Sequence, residues 1–427
     1  WCEPVYIVLL LVSIAANYGI GLLLGRQRDE SVAAKTVLAA GILVNLGILG
    51  YYKYFDFFLR IVNRLTGSEH EMRNIPLPIG ISFFTFGAIS YLMDLYRGHY
   101  EAEKNPLNMA LYLSFFPKIS VGPIARYRDF GPQLVNRQET VEKTAEGIRR
   151  FAYGLGKKVL VANIVGASVD KIYAQDITNV TGVMVWCAAI LYAIQIYYDF
   201  SGFTDMAIGL GKMFGFDICE NFNYPYLSGS IQEFWRRWHI SLSSWFRDYL
   251  YIPLGGNRKG KARTYLNLAI VFFATGLWHG AGATFIIWGL YHGLFLVVER
   301  MGLGKLLEKN CFRGLNHIYT ALVVVVGWVF FRADTLADAK VILHQMFTWE
   351  NGIYPASLFV NRKVIFLAVL GVLLSGIAQS ICPKLREHLY EKEVTKTVDI
   401  VIMAVLLFLC TMYLVSSTYN PFIYFRF

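Results

Sequence analysis

Runs of about twenty apolar residues recur along the chain, and short polar segments separate them. The longest runs cover 4–24, 33–52, 180–198, 364–381 and 398–416. Each is long enough to cross the roughly 30 Å hydrocarbon core of a bilayer as an α-helix. Shorter apolar runs cover 81–95, 265–278, 284–298 and 318–331. The pattern predicts an all-α, polytopic membrane protein, with residues 1–427 forming one transmembrane domain.

Several of these runs are interrupted. Three prolines break the run 105–124, which is typical of a short or re-entrant element. The run 265–278 meets a glycine-rich break at 280–283, after which 284–298 is expected to continue it. The span 180–198 is expected to stop before Asp199. The segment 228–251 alternates tryptophans with arginines, which predicts a helix lying in the membrane interface.

Composition supports a membrane protein. Hydrophobic residues make up 56% of the chain and the mean hydropathy is +0.43, which is too apolar for a soluble protein of this length. The net charge of +10 is scattered between the apolar runs, so nucleic acid is not expected as a partner. Lys and Arg instead mark loops retained in the cytoplasm, above all 126–158 and 256–263. None of the six cysteines forms a CxxC pair, so neither a metal site nor a disulfide framework is expected.

His279 is the leading candidate for chemistry. It follows Thr264 by 15 residues, or about 22 Å of helix, which places an imidazole beyond the middle of the membrane. Ionisable groups at such depth are costly and usually functional. A structural histidine bonded to a neighbouring helix is the alternative.

Other polar residues near the apolar runs are weaker candidates. His239 follows Trp238 and two arginines, so it could equally belong to an interfacial belt. His292 and Trp278 could line the same cavity as His279. A polar network at the membrane surface could be formed by Arg236, Arg237, Arg247 and Asp248, or these residues could bind a phosphate-bearing carrier or cofactor. Asp199 is expected to be structural, either paired with a cation, as buried acids require, or capping a helix break.

Several motifs resemble the membrane-bound O-acyltransferase (MBOAT) family, and they cover nearly the whole chain. They are Pro78–Phe86, Gly122–Ile124, Asp199–Gly202, Asn221–Tyr226, Trp235–Ser243, Phe246–Arg258 and Leu277–Gly280. The turn Pro253–Arg258 resembles the branch that contains the alginate O-acetyltransferases. Family members usually carry one or two further N-terminal helices, which this sequence is expected to lack.

The resemblance implies a ring of helices around a tunnel through a bacterial plasma membrane. His279 matches the family's catalytic histidine and His239 its second polar position. The implied reaction moves an acetyl group from a cytoplasmic thioester, either acetyl-CoA or an acyl carrier protein, to a polysaccharide hydroxyl. No tightly bound cofactor and no metal are expected. An extracytoplasmic acetyltransferase is the implied protein partner, and lipid surrounds the helices.

Three other functions fit parts of the pattern. D-alanyl transfer to teichoic acid uses the same histidines in related proteins of the family. A transporter would explain buried histidines and broken helices, but it predicts inverted repeats, which the sequence lacks. A scaffold protein would tolerate His279→Ala.

Overall fold

The computed structural model describes residues 4–27, 31–309, 314–348, 351–386, 397–417 and 419. The regular secondary structure of these residues is helical throughout. The α-helices are α1 Pro4–Gly25, α2 Val32–Leu49, α3 Phe55–Thr66, α4 Ile81–Tyr96, α5 Pro106–Ser114, α6 Phe116–Ile119, α7 Tyr127–Asn136, α8 Val141–Gly156, α9 Asn163–Tyr173, α10 Gly182–Met213, α11 Ile231–Arg237, α12 Ile240–Phe246, α13 Lys261–His279, α14 Ala283–Val298, α15 Gly304–Leu307, α16 Leu315–Arg332, α17 Leu336–Thr348, α18 Arg362–Val372, α19 Ala378–Ile381, α20 Pro383–Arg386 and α21 Thr397–Ser416.

Seven helical stretches are long and apolar enough to cross a membrane within the described residues. They are Tyr6–Gly25, Val32–Thr66, Gly182–Met213, Ala283–Leu307, Leu315–Arg332, Arg362–Ile381 and Thr397–Ser416. This confirms the prediction of an all-α, multi-pass membrane protein. Within the described ranges, five α-helices continue directly into a π-helical turn, at Gly50–Tyr54, Lys157–Ala162, Arg247–Tyr251, Glu299–Leu303 and Leu373–Ile377. Such turns are frequent at functional sites.

Helix α10 differs from the prediction because it does not stop before Asp199. It continues fifteen residues beyond Tyr198, to Met213. The acids inside it are neutralised by two lysines of the π turn Lys157–Ala162, which packs against α10. Lys158 lies 2.5 Å from Asp199, and Lys157 lies 2.5 Å from Asp205. Because these partners come from distant sequence, a local pattern could not show that the helix goes on.

The segment 228–251 also differs from the predicted single interfacial helix. It folds as α11 and α12 with a break at 238–239, and the π turn Arg247–Tyr251 follows. Trp235, Trp238 and Trp245 are all buried in the core rather than turned toward lipid. Tertiary packing accounts for the difference, since Trp245 stacks on Phe86 at 3.7 Å between ring centroids.

Helices α13 and α14 form an antiparallel hairpin, so the second apolar run does not continue the first. A Cβ atom on Gly276 would collide with the carbonyl oxygen of Phe285, and one on Gly293 would lie 3.0 Å from Cβ of Phe272. A Cβ atom on Gly289 would lie 3.0 Å from the backbone nitrogen of Gly276. These contacts pair residues in opposite directions along the two helices. The three-residue connection 280–282 therefore reverses the chain, and His279 lies at the tip of the hairpin.

The run 105–124 is broken, as its prolines predict. Helix α5 ends at Ser114, and the one-turn helix α6 follows it at Phe116–Ile119. Gly80, with a left-handed φ of 76°, packs so closely on this region that a Cβ atom would collide with the carbonyl oxygen of Ile119. The broken element is thereby held against the start of α4.

Candidate active site

His279 is the last residue of α13 and is 5% exposed. Aromatic rings surround its imidazole: the ring centroids of Trp278, Trp288 and Phe331 lie 4.9, 5.0 and 5.3 Å away. At 1.5 Å per residue, it lies about 27 Å from the helix start at Lys261. The histidine thus lies at the far end of a membrane-length helix from the basic turn 256–263.

His239 reaches the same place from a different element. It separates α11 from α12 and has a left-handed backbone, with φ of 44°. Its side chain is fully buried. The imidazole packs edge-on against Phe200 at 4.7 Å, and its ring centroid lies 6.3 Å from that of His279. The structure therefore brings together the two histidines that the sequence singled out as catalytic.

Asn221 orients His239 and fixes its tautomer. The Oδ1 atom of Asn221 accepts a hydrogen bond from the backbone N–H of Ser241 at 3.1 Å and one from the Ser241 hydroxyl at 2.9 Å. Nδ1 of His239 lies 3.1 Å from the same oxygen. Since a backbone N–H can only donate, this amide atom is the oxygen, and Nδ1 of His239 must carry a proton. In the neutral ring, Nε2 is then the nitrogen without a proton.

Trp278 and His292 lie close to this pair in different ways. Trp278 is wedged between Phe83 and Phe86, with its ring centroid 5.8 Å from that of His239. His292 is fully buried on α14. The indole ring of Trp288 contacts both histidines: its centroid lies 5.4 Å from that of His292 and 5.0 Å from that of His279. His292 is therefore a neighbour of the site rather than a member of the pair.

Arg237 and Asp199 serve as supports. Arg237 pairs with Glu233 at 2.8 Å and donates to the carbonyl oxygen of Asn223 at 3.1 Å, which ties α11 to the loop that carries Asn221. Asp199 has Lys158 as the cation that the sequence predicts for it.

Asp248 organises a cluster of arginines. Arg126, Arg128 and Arg247 contact its carboxylate at 2.8, 2.5 and 2.8 Å. Burial of the carboxyl opposes ionisation, but the hydrogen bonds and charges of Arg247 and Arg128 outweigh it and hold the pKa of Asp248 below its usual range. Of the residues that the sequence placed in a polar network, Arg247 and Asp248 contact each other here, whereas Arg237 pairs with Glu233. The arginines favour the ionised form of the acid at the centre of the cluster.

Sequence reasoning missed three residues. Asn221 was part of a recognised motif, but its contact with His239 depends on the fold. Lys53 and Tyr54, from the π turn after α2, donate hydrogen bonds to the carbonyl oxygens of Trp278 and Leu277 at 2.5 and 2.7 Å. A lysine next to a membrane-length apolar run was the available signal.

A cavity of about 420 Å³ runs beside α13. Arg236, Arg247 and Arg300 line it together with Trp235 and, one helical turn before His279, Thr275. Arg236 and Arg300 are exposed, and no ion pair is described for either. Guanidinium groups bind phosphate oxygens in a planar, bidentate manner, so the cavity is suited to a phosphate-bearing molecule. Among the described residues, no group of three His, Cys, Asp or Glu side chains is placed to hold a metal ion.

The family model for "MBOAT, membrane-bound O-acyltransferase family" matches residues 102–337, which is more than half of the chain and includes both histidines. The chain belongs to this family. It is therefore an O-acyltransferase of the membrane.

Relatives of the family differ in their acceptors. The probable alginate O-acetylase AlgI of Pseudomonas aeruginosa is 44% identical, over 82% of this chain and 68% of its own length. The peptidoglycan O-acetyltransferase of Helicobacter pylori is 34% identical, over 99% of this chain and 88% of its own. The teichoic acid D-alanyltransferase of Bacillus subtilis is 31% identical, over 61% and 68%. Acyl transfer is common to all three names, whereas the acyl group and the acceptor are not.

Proposed function

We propose that this protein O-acetylates a cell-surface polysaccharide or exopolysaccharide, working in a bacterial plasma membrane with a thioester donor from the cytoplasm. The observation that carries the proposal is the buried His239–His279 pair at the tip of the α13–α14 hairpin. The similarity to an alginate O-acetylase and a peptidoglycan O-acetyltransferase supports acetyl as the acyl group, because these relatives share more of the chain than the D-alanyltransferase does.

In the proposed reaction His279 is the general base. It takes the proton of the acceptor hydroxyl as the oxygen attacks the acetyl carbonyl, and the carbon–oxygen bond of the ester forms. The carbon–sulfur bond then breaks, and the thiolate leaves with the proton that His279 returns. Imidazole suits both steps because its ordinary pKa lies near neutrality.

His239 has a positioning role in the proposed reaction. Its Nδ1 faces Oδ1 of Asn221, which fixes the orientation of a ring whose centroid lies 6.3 Å from that of His279. It therefore orients the acyl donor beside His279, which takes the proton of the acceptor hydroxyl. Stabilising the oxyanion would require a second proton on this ring.

The donor would enter along the arginine-lined cavity. Arg236 and Arg300 would hold the phosphates of acetyl-CoA or of a carrier's phosphopantetheine arm, and the thioester would reach past Thr275 toward His279. The basic turn 256–263 precedes α13 at the end opposite His279. Because basic loops are retained in the cytoplasm, this supports a cavity that opens to the cytoplasm. The acceptor would be the polysaccharide itself or an extracytoplasmic acetyltransferase that passes the group on.

The test is the amount of O-acetyl bound to surface polysaccharide in cells that carry either the wild type or His279→Ala at equal membrane levels. We expect the variant to lose nearly all bound acetyl, with His344→Ala, an exposed histidine on α17, as the matched control. Labelled acetyl-CoA and labelled D-alanyl carrier are supplied to membranes in parallel. Transfer of D-alanine but not of acetyl would show that the acyl group is D-alanine. Unchanged acetylation in His279→Ala would show that His279 is not the catalytic base.

A further inference from the structure

Lys53 is a partly buried lysine whose contacts are oxygen atoms at the end of the helix that carries His279. Its Nζ atom lies 2.5 Å from the carbonyl oxygen of Trp278, 3.4 Å from that of His279 and 3.4 Å from the hydroxyl of Ser82. Among the described residues, no carboxylate is recorded as an ion-pair partner of Lys53. The side chain is thus directed at a helix terminus rather than at an acid.

The last turn of α13 shows why these contacts matter. The final four carbonyl groups of a helix lack donors within the helix. Here Gly276 accepts from the N–H of Gly280 at 3.3 Å, and Leu277 accepts from the hydroxyl of Tyr54 at 2.7 Å. Lys53 supplies the donor for the remaining two. Two adjacent residues of another helix therefore satisfy three of the four groups.

Charge adds to this geometry. A helix C-terminus carries a partial negative charge, which a cation stabilises. The Nζ atom of Lys53 also lies 5.8 Å from the ring centroid of Trp278, within reach of a cation–π contact. In an apolar setting these interactions resist displacement by water, so they hold the backbone of Trp278 and His279 firmly.

The local backbone presents both donors to one place. Gly50–Tyr54 is a π turn between α2 and α3. A π turn inserts one residue into the helical repeat and shifts the side chains around it from their regular α-helical positions. Turns of this kind are frequent at functional sites.

We infer that Lys53 and Tyr54 are positioning residues for His279: by binding the last carbonyl groups of α13, they hold the imidazole in its reactive geometry. The inference rests on the proposed function of His279. Neither side chain needs to touch the substrate. Misplacing a catalytic group by about 1 Å can lower the rate about 100-fold, so such a clamp has a measurable effect on turnover.

The test compares kcat and KM for acetyl transfer from acetyl-CoA in membranes that carry Lys53→Met, Lys53→Arg or Tyr54→Phe. We expect Lys53→Met to lower kcat about 10- to 100-fold and Tyr54→Phe about 5-fold, with KM for the donor changed less than about 2-fold. Lys53→Arg keeps the charge and the donors and should retain more activity than Lys53→Met. Lys35→Met, at an exposed position of α2, is the matched control.

The outcomes separate the clamp from a structural role and from the proposed function. Loss of kcat at unchanged KM and unchanged protein level supports the clamp, and Tyr54→Phe tests it should Lys53→Met fail to fold. A wild-type kcat in both Lys53→Met and Tyr54→Phe overturns the inference, provided that the wild type transfers acetyl and His279→Ala does not. A wild type that transfers no acetyl overturns the proposed function instead.

Discussion

The ring centroids of His239 and His279 lie 6.3 Å apart. His239 separates the short helices α11 and α12, whereas His279 is the last residue of α13, at the tip of the α13–α14 hairpin. Neither element alone defines the distance. It depends on the hydrogen bonds of Asn221 on one side and on the last turn of α13 on the other. Substitutions that leave both imidazoles in place can therefore still impair the site.

Asn221→Ala tests the His239 side of this arrangement. The change removes the acceptor for His239 and for both donors of Ser241, so buried donors lose their partner at about 1–3 kcal/mol each. We expect acyl transfer to fall about 10- to 100-fold at an unchanged KM for the donor. Asn223→Ala is the control, since that side chain is exposed. Equal activity of the two variants in a membrane transfer assay would contradict the orienting role.

Arg236 and Arg300 are predicted to bind the donor. Their joint replacement by Gln should raise KM for acetyl-CoA about 10-fold and leave kcat within about 2-fold, because ground-state binding is lost while the chemistry stays intact. Salt should also weaken donor binding less in the double variant. Arg258→Gln, in the exposed basic turn, serves for comparison. An unchanged KM would place the donor elsewhere.

Gly289→Ala should destabilise the hairpin. The added methyl group would collide with the carbonyl oxygen of Phe272 and lie 3.0 Å from the backbone nitrogen of Gly276. Overpacking of this kind costs about 1–3 kcal/mol, so we expect a lower midpoint of thermal unfolding in detergent and reduced activity. Gly47→Ala has open space around it and should have little effect. A Gly289→Ala protein as stable as Gly47→Ala would show that the helices can separate freely.

The Asp248 cluster gives stability a defined pH dependence. Because the folded pKa of Asp248 is lowered, its stabilising contribution is complete above the unfolded value of about 3.9 and disappears as pH falls through the folded value. Asp248→Asn should lower the free energy of unfolding by about 1–3 kcal/mol at pH 7, since Arg126, Arg128 and Arg247 lose a shared, partly buried anion.

The measurement is the thermal unfolding midpoint of wild type and Asp248→Asn between pH 3 and pH 7. The difference between them should narrow only at the acidic end. Asp129→Asn is a matched comparison, because Asp129 contacts the same Arg126 but is 40% exposed and should contribute under about 1 kcal/mol. A difference that stays constant across the range would argue against the charge of Asp248 as its cause.

The apolar runs predicted the helical, multi-pass fold, and the position of His279 along one of them singled out this histidine, whereas His239 was singled out by the family resemblance. The sequence did not predict features that depend on contacts between residues far apart in the chain. Nothing near Asp199 shows that Lys158 will neutralise it and let α10 continue to Met213. The direction of α14 depends on glycine contacts with α13, and the role of Lys53 depends on a helix end more than two hundred residues away.

The left-handed backbone of His239 lowers the stability of the fold at a position where the proposed reaction needs an imidazole. Residues other than glycine and asparagine adopt φ near 44° only at a cost, of the order of 1 kcal/mol or more. A chain selected for heat resistance alone would place glycine or asparagine here and would lose the imidazole. Consensus or design methods that reward low backbone strain will therefore tend to remove this histidine, and engineered thermostable versions of the protein need the position held fixed.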